Sequence, residues 1–187
     1  MKTHREVGDG KGNATLESEL EYVLAGKTVL TEKRTVKVKT LANGNYSLDW
    51  TATFTACEKL DFTASKPAWN KEKGTSNGCG YAGLSARLAP NRDFSYAYRN
   101  SVGSLDARCY GDRADTIAVT ATSKKNGAAT HLTFKADKPT VNYTLHQPAQ
   151  WRGDGFYFVA FPECFNETLT FNQGETRTFH YTVSVEK

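Results

Sequence analysis

No apolar run in the 187 residues approaches the ~18 needed to cross a bilayer as a helix. No stretch carries a convincing helical period either, so amphipathic helices are not expected. The opening Met1-Lys2-Thr3-His4-Arg5-Glu6 has no apolar segment of a secretory leader. The expectation is a cytoplasmic protein as the sequence stands, and a periplasmic or secreted one if the chain derives from a longer precursor. The four cysteines, Cys57, Cys79, Cys109 and Cys164, form no CxxC pair, which excludes a zinc-ribbon or thioredoxin-type centre. Their wide spacing suits free buried thiols, with one or two disulfides as the alternative. The four histidines show no HxH or HExxH spacing, so no metal site is expected. GxSxG, GxGxxG and phosphate-loop motifs are missing too, and no cofactor is expected. There is no internal repeat, low-complexity tract or linker.

Positive charge is present but not concentrated. The net charge is +4. Lys33, Arg34, Lys37 and Lys39 look like a basic run, yet on a strand they divide between two faces. No nucleic-acid partner is expected.

What the chain does have is strand character. Hydrophobic residues make up 39% and charged residues 24%, a globular balance. Aromatics reach 12%, mostly Phe and Tyr, which favour strands. In Tyr46-Ser47-Leu48-Asp49-Trp50-Thr51-Ala52-Thr53-Phe54 the alternation is nearly perfect: Tyr46, Leu48, Trp50, Ala52 and Phe54 face one way, and the Ser, Asp and Thr residues the other. Residues 14–22 alternate similarly. Further strands are predicted near 28–40, 58–64, 80–88, 93–99, 115–122, 130–136, 141–146, 155–161, 167–171 and 175–186. Asn43-Gly44, Asn126-Gly127 and Gln173-Gly174 mark turns between them. The prediction is one all-β domain over residues 1–187, an antiparallel β-sandwich.

The segment 28–40 contains an anomaly. Leu30, Val36 and Val38 share a face, and by parity Glu32 and Arg34 point with them. An inward charge costs several kcal/mol unless paired. The two side chains stand roughly 6.5–7 Å apart along one face. On a functional reading they line a polar cleft, with Glu32 as acid/base or acceptor and Arg34 as an anion or hydroxyl anchor. The alternative is a structural ion pair. In Tyr81-Ala82-Gly83-Leu84-Ser85-Ala86-Arg87-Leu88, Tyr81, Gly83, Ser85 and Arg87 form the polar row, making Tyr81 and Arg87 binding candidates or a solvated face. Trp69 and Trp151 lie in long polar loops and are candidate stacking platforms for a sugar ring, or covers for the sandwich edge. His146, where a strand meets the Trp151 loop, is the best acid/base candidate among the histidines. His180 shares parity with Thr178, Thr182 and Ser184 and is expected to face solvent.

Four stretches, in order, resemble the PmoA-like family, a bacterial family of unknown function. They are Leu30-Thr31-Glu32-Lys33-Arg34-Thr35; Asn45-Tyr46-Ser47-Leu48-Asp49-Trp50 with Phe54-Thr55-Ala56; Gly80-Tyr81-Ala82-Gly83-Leu84-Ser85-Ala86-Arg87-Leu88; and Phe165-Asn166-Glu167-Thr168-Leu169-Thr170 with Gly174-Glu175. The resemblance implies a sandwich of the galactose-mutarotase type and a carbohydrate or sugar-derivative partner, and it adds Asn166 and Glu167 to the binding set. It also implies that an upstream, His-rich part of the family pattern is missing. A further "FDHP" motif is represented by Phe134-Lys135-Ala136-Asp137-Lys138-Pro139, without its His. The implied role is carbohydrate-related: acid/base chemistry in a cleft, or non-catalytic carbohydrate binding.

Overall fold

The computed structural model describes residues 3–63, 83–89, 92–109, 111–141, 143–147, 156–164 and 168–187. Its frame is an eight-stranded antiparallel sheet. In spatial order this runs β1 (Thr3–Gly8), β2 (Ala14–Leu24), β3 (Lys27–Thr40), β4 (Tyr46–Ala56), β13 (Thr176–Glu186), β9 (Ala129–Val141), β8 (Arg113–Ser123) and β7 (Phe94–Asn100). A three-stranded sheet orders as β10 (Tyr143–Gln147), β11 (Phe156–Ala160) and β6 (Ser85–Arg87). A two-stranded one pairs β12 (Leu169–Phe171) with β5 (Leu60–Phe62). The architecture is an antiparallel, all-β sandwich. Among the described residues the helical elements are short 3-10 turns, Ala42–Gly44 and Asp106–Cys109, and no helix is long and apolar enough to cross a membrane.

The predicted strands are present, with shifted ends. β1 is one the alternation did not reveal, because all six of its residues are exposed and no apolar face marks it. The β2–β3 hairpin turns on Ala25 and Gly26, both at positive φ (49° and 81°). That is the two-residue turn whose twist suits a hairpin, and an Ala there gives little warning in the sequence. Asn43-Gly44 makes the equivalent connection before β4, as its composition predicts.

Among the described residues, alternation gathers two core clusters on the inner face of the large sheet. One joins Tyr98, Ile117, Val119, Phe134, Ala136 and Tyr181 of the large sheet to Tyr157 and Val159 of β11, with Leu84 and Phe161 alongside. The other gathers Val29, Leu30, Ala56 and Phe171, with Phe54, Leu60, Leu169 and Phe179 against it, under the small β12–β5 sheet. Arg177 stitches this end together. Its Nη2 donates to the Thr170 carbonyl at 2.7 Å, and its guanidinium lies 4.8 Å from the centre of the Phe171 ring.

β9 is interrupted by a wide irregularity. Ala114 pairs with Thr140 and Thr116 with Lys135, so Asp115 of β8 spans Ala136-Asp137-Lys138-Pro139. Proline, which has no N–H to give a ladder, is tolerated in such a bulge. Asp137 lies in this bulge and reaches His180 of β13.

The outer face of the large sheet is threonine-rich. Thr53 and Thr178 hydroxyls meet at 2.9 Å, as do those of Thr55 and Thr176. His180 is on this face, as its parity predicts, but it is not freely solvated. Its Nδ1 is 2.6 Å from Asp137 Oδ1 and its Nε2 3.1 Å from Asp49 Oδ2. The bond to Asp137, then that to Asp49, raise its pKa above the ordinary 6.5. A fold that favours the protonated form adds stability that is fully present below the unfolded value and is lost as pH rises through the raised folded value. The melting-temperature advantage of the wild type over His180→Gln should therefore be largest near pH 6 or below and decline at pH values above about 6.5. An advantage that stays flat from about pH 5.5 to about 9 would sink this assignment.

Candidate functional site

A cavity of about 570 Å³ lies at the seam between the two core clusters. Its walls are mostly apolar: Leu30, Trp50, Phe54, Phe62, Phe171 and Phe179 are among the lining residues. The floor is the inner face of β3, β4 and β13. β12 and β5 contribute one side, and Gly83, Leu84 and Glu163 the other.

Glu32 and Arg34 both line this cavity, on the face their parity assigned. Glu32 is 1% exposed and the Arg34 side chain 29%. Arg34 grips the carboxylate with two bonds, Nε to Oε1 at 2.6 Å and Nη2 to Oε2 at 2.8 Å. Bidentate, charge-assisted geometry of this kind is what makes a buried ion pair tolerable. Tyr22 donates a third bond to Glu32 Oε2 at 2.5 Å. The register explains the space available. Glu32 sits between Leu20 and Phe54, whereas Arg34 sits between Ser18 and Ala52, two small side chains that leave room for a guanidinium. The guanidinium also lies 5.2 Å from the Trp50 ring centre.

The electrostatics follow from these contacts. The hydrogen bond to Glu32 raises the Arg34 pKa, keeping it cationic. Burial first, then the bond to Glu32 and its negative charge, push the Tyr22 hydroxyl up to about 12. Tyr22 is thus a donor at any physiological pH.

A second carboxylate borders the same cavity. Glu163, its side chain 10% exposed, accepts a hydrogen bond from the Tyr181 hydroxyl at 2.8 Å. Burial first, then the Glu163 charge, raise the Tyr181 pKa strongly, so this phenol is also a fixed donor. Lys138 Nζ approaches Glu163 Oε2 only to 4.0 Å and is 69% exposed. Gly83 packs against this group at a φ of 100°. Sequence reasoning missed Glu163, Tyr22 and Tyr181. The tyrosines could have been found: Tyr22 closes an alternating strand and Tyr181 shares the inward parity of Phe179. Glu163 lies in the Pro162-Glu163-Cys164 connection, where no period assigns a direction.

Arg87 is an exposed residue of β6 and does not line the cavity. His146 pairs with Tyr157 in the β10–β11 ladder, and its side chain lies outside the described residues. Trp69, Trp151, Tyr81, Asn166 and Glu167 also lie outside the described residues, as does Cys79. Among the described residues, Cys57, Cys109 and Cys164 form no disulfide with one another. Among the described residues no group of three His, Cys, Asp or Glu side chains could hold a metal ion.

Known proteins add little to this geometry. A solved structure described as a galactose mutarotase related enzyme from Lactobacillus acidophilus shares 10% identity at a TM-score of 0.41, over 98% of this chain and 71% of that one. That likeness is too distant to carry a function across. No curated protein is significantly similar. The model of a family of unknown function, DUF6807, matches residues 1–187, and its description does not carry the PmoA-like label expected from the motifs. The chain is a member of DUF6807, a family of unknown function.

Proposed function

We propose that this protein is carbohydrate-related and that the inter-sheet cavity binds a sugar or sugar derivative. The observation that carries the reading is the combination of aromatic walls with fixed polar groups. Trp50, Phe54, Phe62 and Phe179 offer apolar surface for the C–H faces of a pyranose ring. Arg34 offers guanidinium N–H donors and Glu163 an acceptor for its hydroxyls, while the Tyr22 and Tyr181 oxygens, whose protons go to Glu32 and Glu163, can only accept. The cavity's size is in the range of small-ligand sites. The motif resemblance points to the same partner class.

Binding is favoured over acid/base chemistry at Glu32. Both of its oxygens are already engaged, by Arg34 and Tyr22. With Arg34 and Tyr22 on its two oxygens, the carboxylate has no oxygen left open toward a ligand proton. Its role in this reading is to hold Arg34 against Trp50, aimed into the cavity.

Phe62 is the sharpest probe, because it lines the cavity while remaining 36% exposed. Phe62→Ala should weaken binding of the best ligand from a glycan screen by about tenfold, with little change in melting temperature. Calorimetric titration of wild type and variant reads this directly. A wild type that retains no glycan, or an affinity untouched by Phe62→Ala, overturns the proposal.

A further inference from the structure

The two carboxylates of the cavity are not equivalent. Glu32 has its counter-ion beside it, held by two short bonds, so the Glu32–Arg34 unit is close to neutral toward a ligand. Glu163 has no such clamp among the described residues. Its neighbour inside the cavity is the neutral Tyr181 hydroxyl. Its cationic neighbour, Lys138, is 4.0 Å from Oε2, mostly exposed, and lies 5.9 Å from the centre of the Phe179 ring. An exposed lysine at that distance compensates a charge weakly. Among the described residues, the cavity therefore holds one largely uncompensated negative charge against apolar walls, where water screens it little.

Gly83 lets the chain pack closely at this end. A Cβ there would sit 2.1 Å from the Phe161 carbonyl oxygen and 3.1 Å from the Tyr181 hydroxyl. Only a residue without a side chain lets the backbone close on the Tyr181–Glu163 pair.

We infer that the cavity selects a sugar bearing a free amine, and that Glu163 is the residue that reads the ammonium group. This rests on the reading of the cavity as a sugar site. The ammonium replaces one hydroxyl of the ring and donates to Glu163, supplying a charge that no described residue places inside the cavity beside it. An anionic sugar, such as a uronic acid, meets the same charge with the wrong sign, and Arg34 cannot compensate because Glu32 already occupies it. Tyr181, fixed as a donor, holds the Glu163 carboxylate in place. It acts through Glu163 and is a positioning residue.

The test is calorimetric titration of the full chain with glucosamine, glucose and glucuronate as probes, at one pH near neutrality and low salt. Glucosamine should bind at least about tenfold more tightly than glucose, and glucuronate more weakly than glucose. In Glu163→Gln the preference for glucosamine over glucose should shrink to within about twofold. Lys138→Ala, a change at an exposed position, should enlarge the preference, and it serves if the Glu163 variant does not fold. Equal binding of glucosamine and glucose by the wild type, or a preference unchanged in both variants, overturns the inference and leaves the sugar reading standing. If none of the three probes nor any glycan binds, the sugar reading itself fails and this inference falls with it.

Discussion

Glu32→Ala should lower the unfolding free energy by about 3 kcal/mol, the largest loss expected from any single polar substitution among the described residues. Removing the carboxylate leaves the Arg34 guanidinium and the Tyr22 hydroxyl without their shared partner in a low-dielectric setting. The loss comes less from the attraction that disappears than from the charge left behind. The figure sits at the lower end for broken buried pairs because Arg34 is partly exposed and can recover some hydration. A double substitution, Glu32→Leu with Arg34→Met, removes both charges and should restore most of the loss. Urea titrations of the three proteins, compared by midpoint at constant slope, check both statements. A single variant that costs less than about 1 kcal/mol would mean that the pair is solvated and contributes little.

Gly83→Ala should be nearly as damaging, by about 3 kcal/mol. Two costs combine. A φ of 100° is outside the range that L side chains adopt comfortably, and the new methyl would collide with a backbone carbonyl, that of Phe161, which cannot swing aside. Phe161 is fully buried and its amide is bonded to the Leu84 carbonyl, so the strain would pass directly into the larger core cluster. The variant should also perturb Tyr181, whose hydroxyl is the next atom in contact. Thermal melts of Gly83→Ala beside Gly174→Ala separate the two costs. Gly174 has a similar positive φ of 78°, but a methyl there would meet nothing within 4 Å, so it reports backbone strain alone. Equal losses in the two variants would remove the steric part of the argument.

Most of the sheet could be read from residue order. The alternation in 46–54 has a direct physical cause: successive strand side chains point to opposite faces, and only one face is dry. The same parity marked Glu32 and Arg34 as inward charges, and it placed His180 on the outer face. Where parity failed, a reason is visible. β1 carries no apolar face, because its residues are all exposed, and so it left no pattern. Glu163 follows β11 in a connection without regular geometry, and no period operates there. The Ala25-Gly26 turn uses an alanine in a conformation that asparagine or glycine more often marks.

Alone, the sequence determined an antiparallel, threonine-rich β-sandwich with a charged pair on the wrong face, because strand periodicity is a local property written every two residues. Tertiary structure decided what that pair does. Folding brought β2, β3, β4 and β13 side by side, set Tyr22 against Glu32, stacked Arg34 near Trp50, and delivered Glu163, from a connection that carries no period of its own, to the same cavity as Gly83. Contacts between residues more than a hundred positions apart, such as His180 with Asp49, depend on strand order, and strand order is set by which apolar faces cover one another rather than by any single stretch of chain.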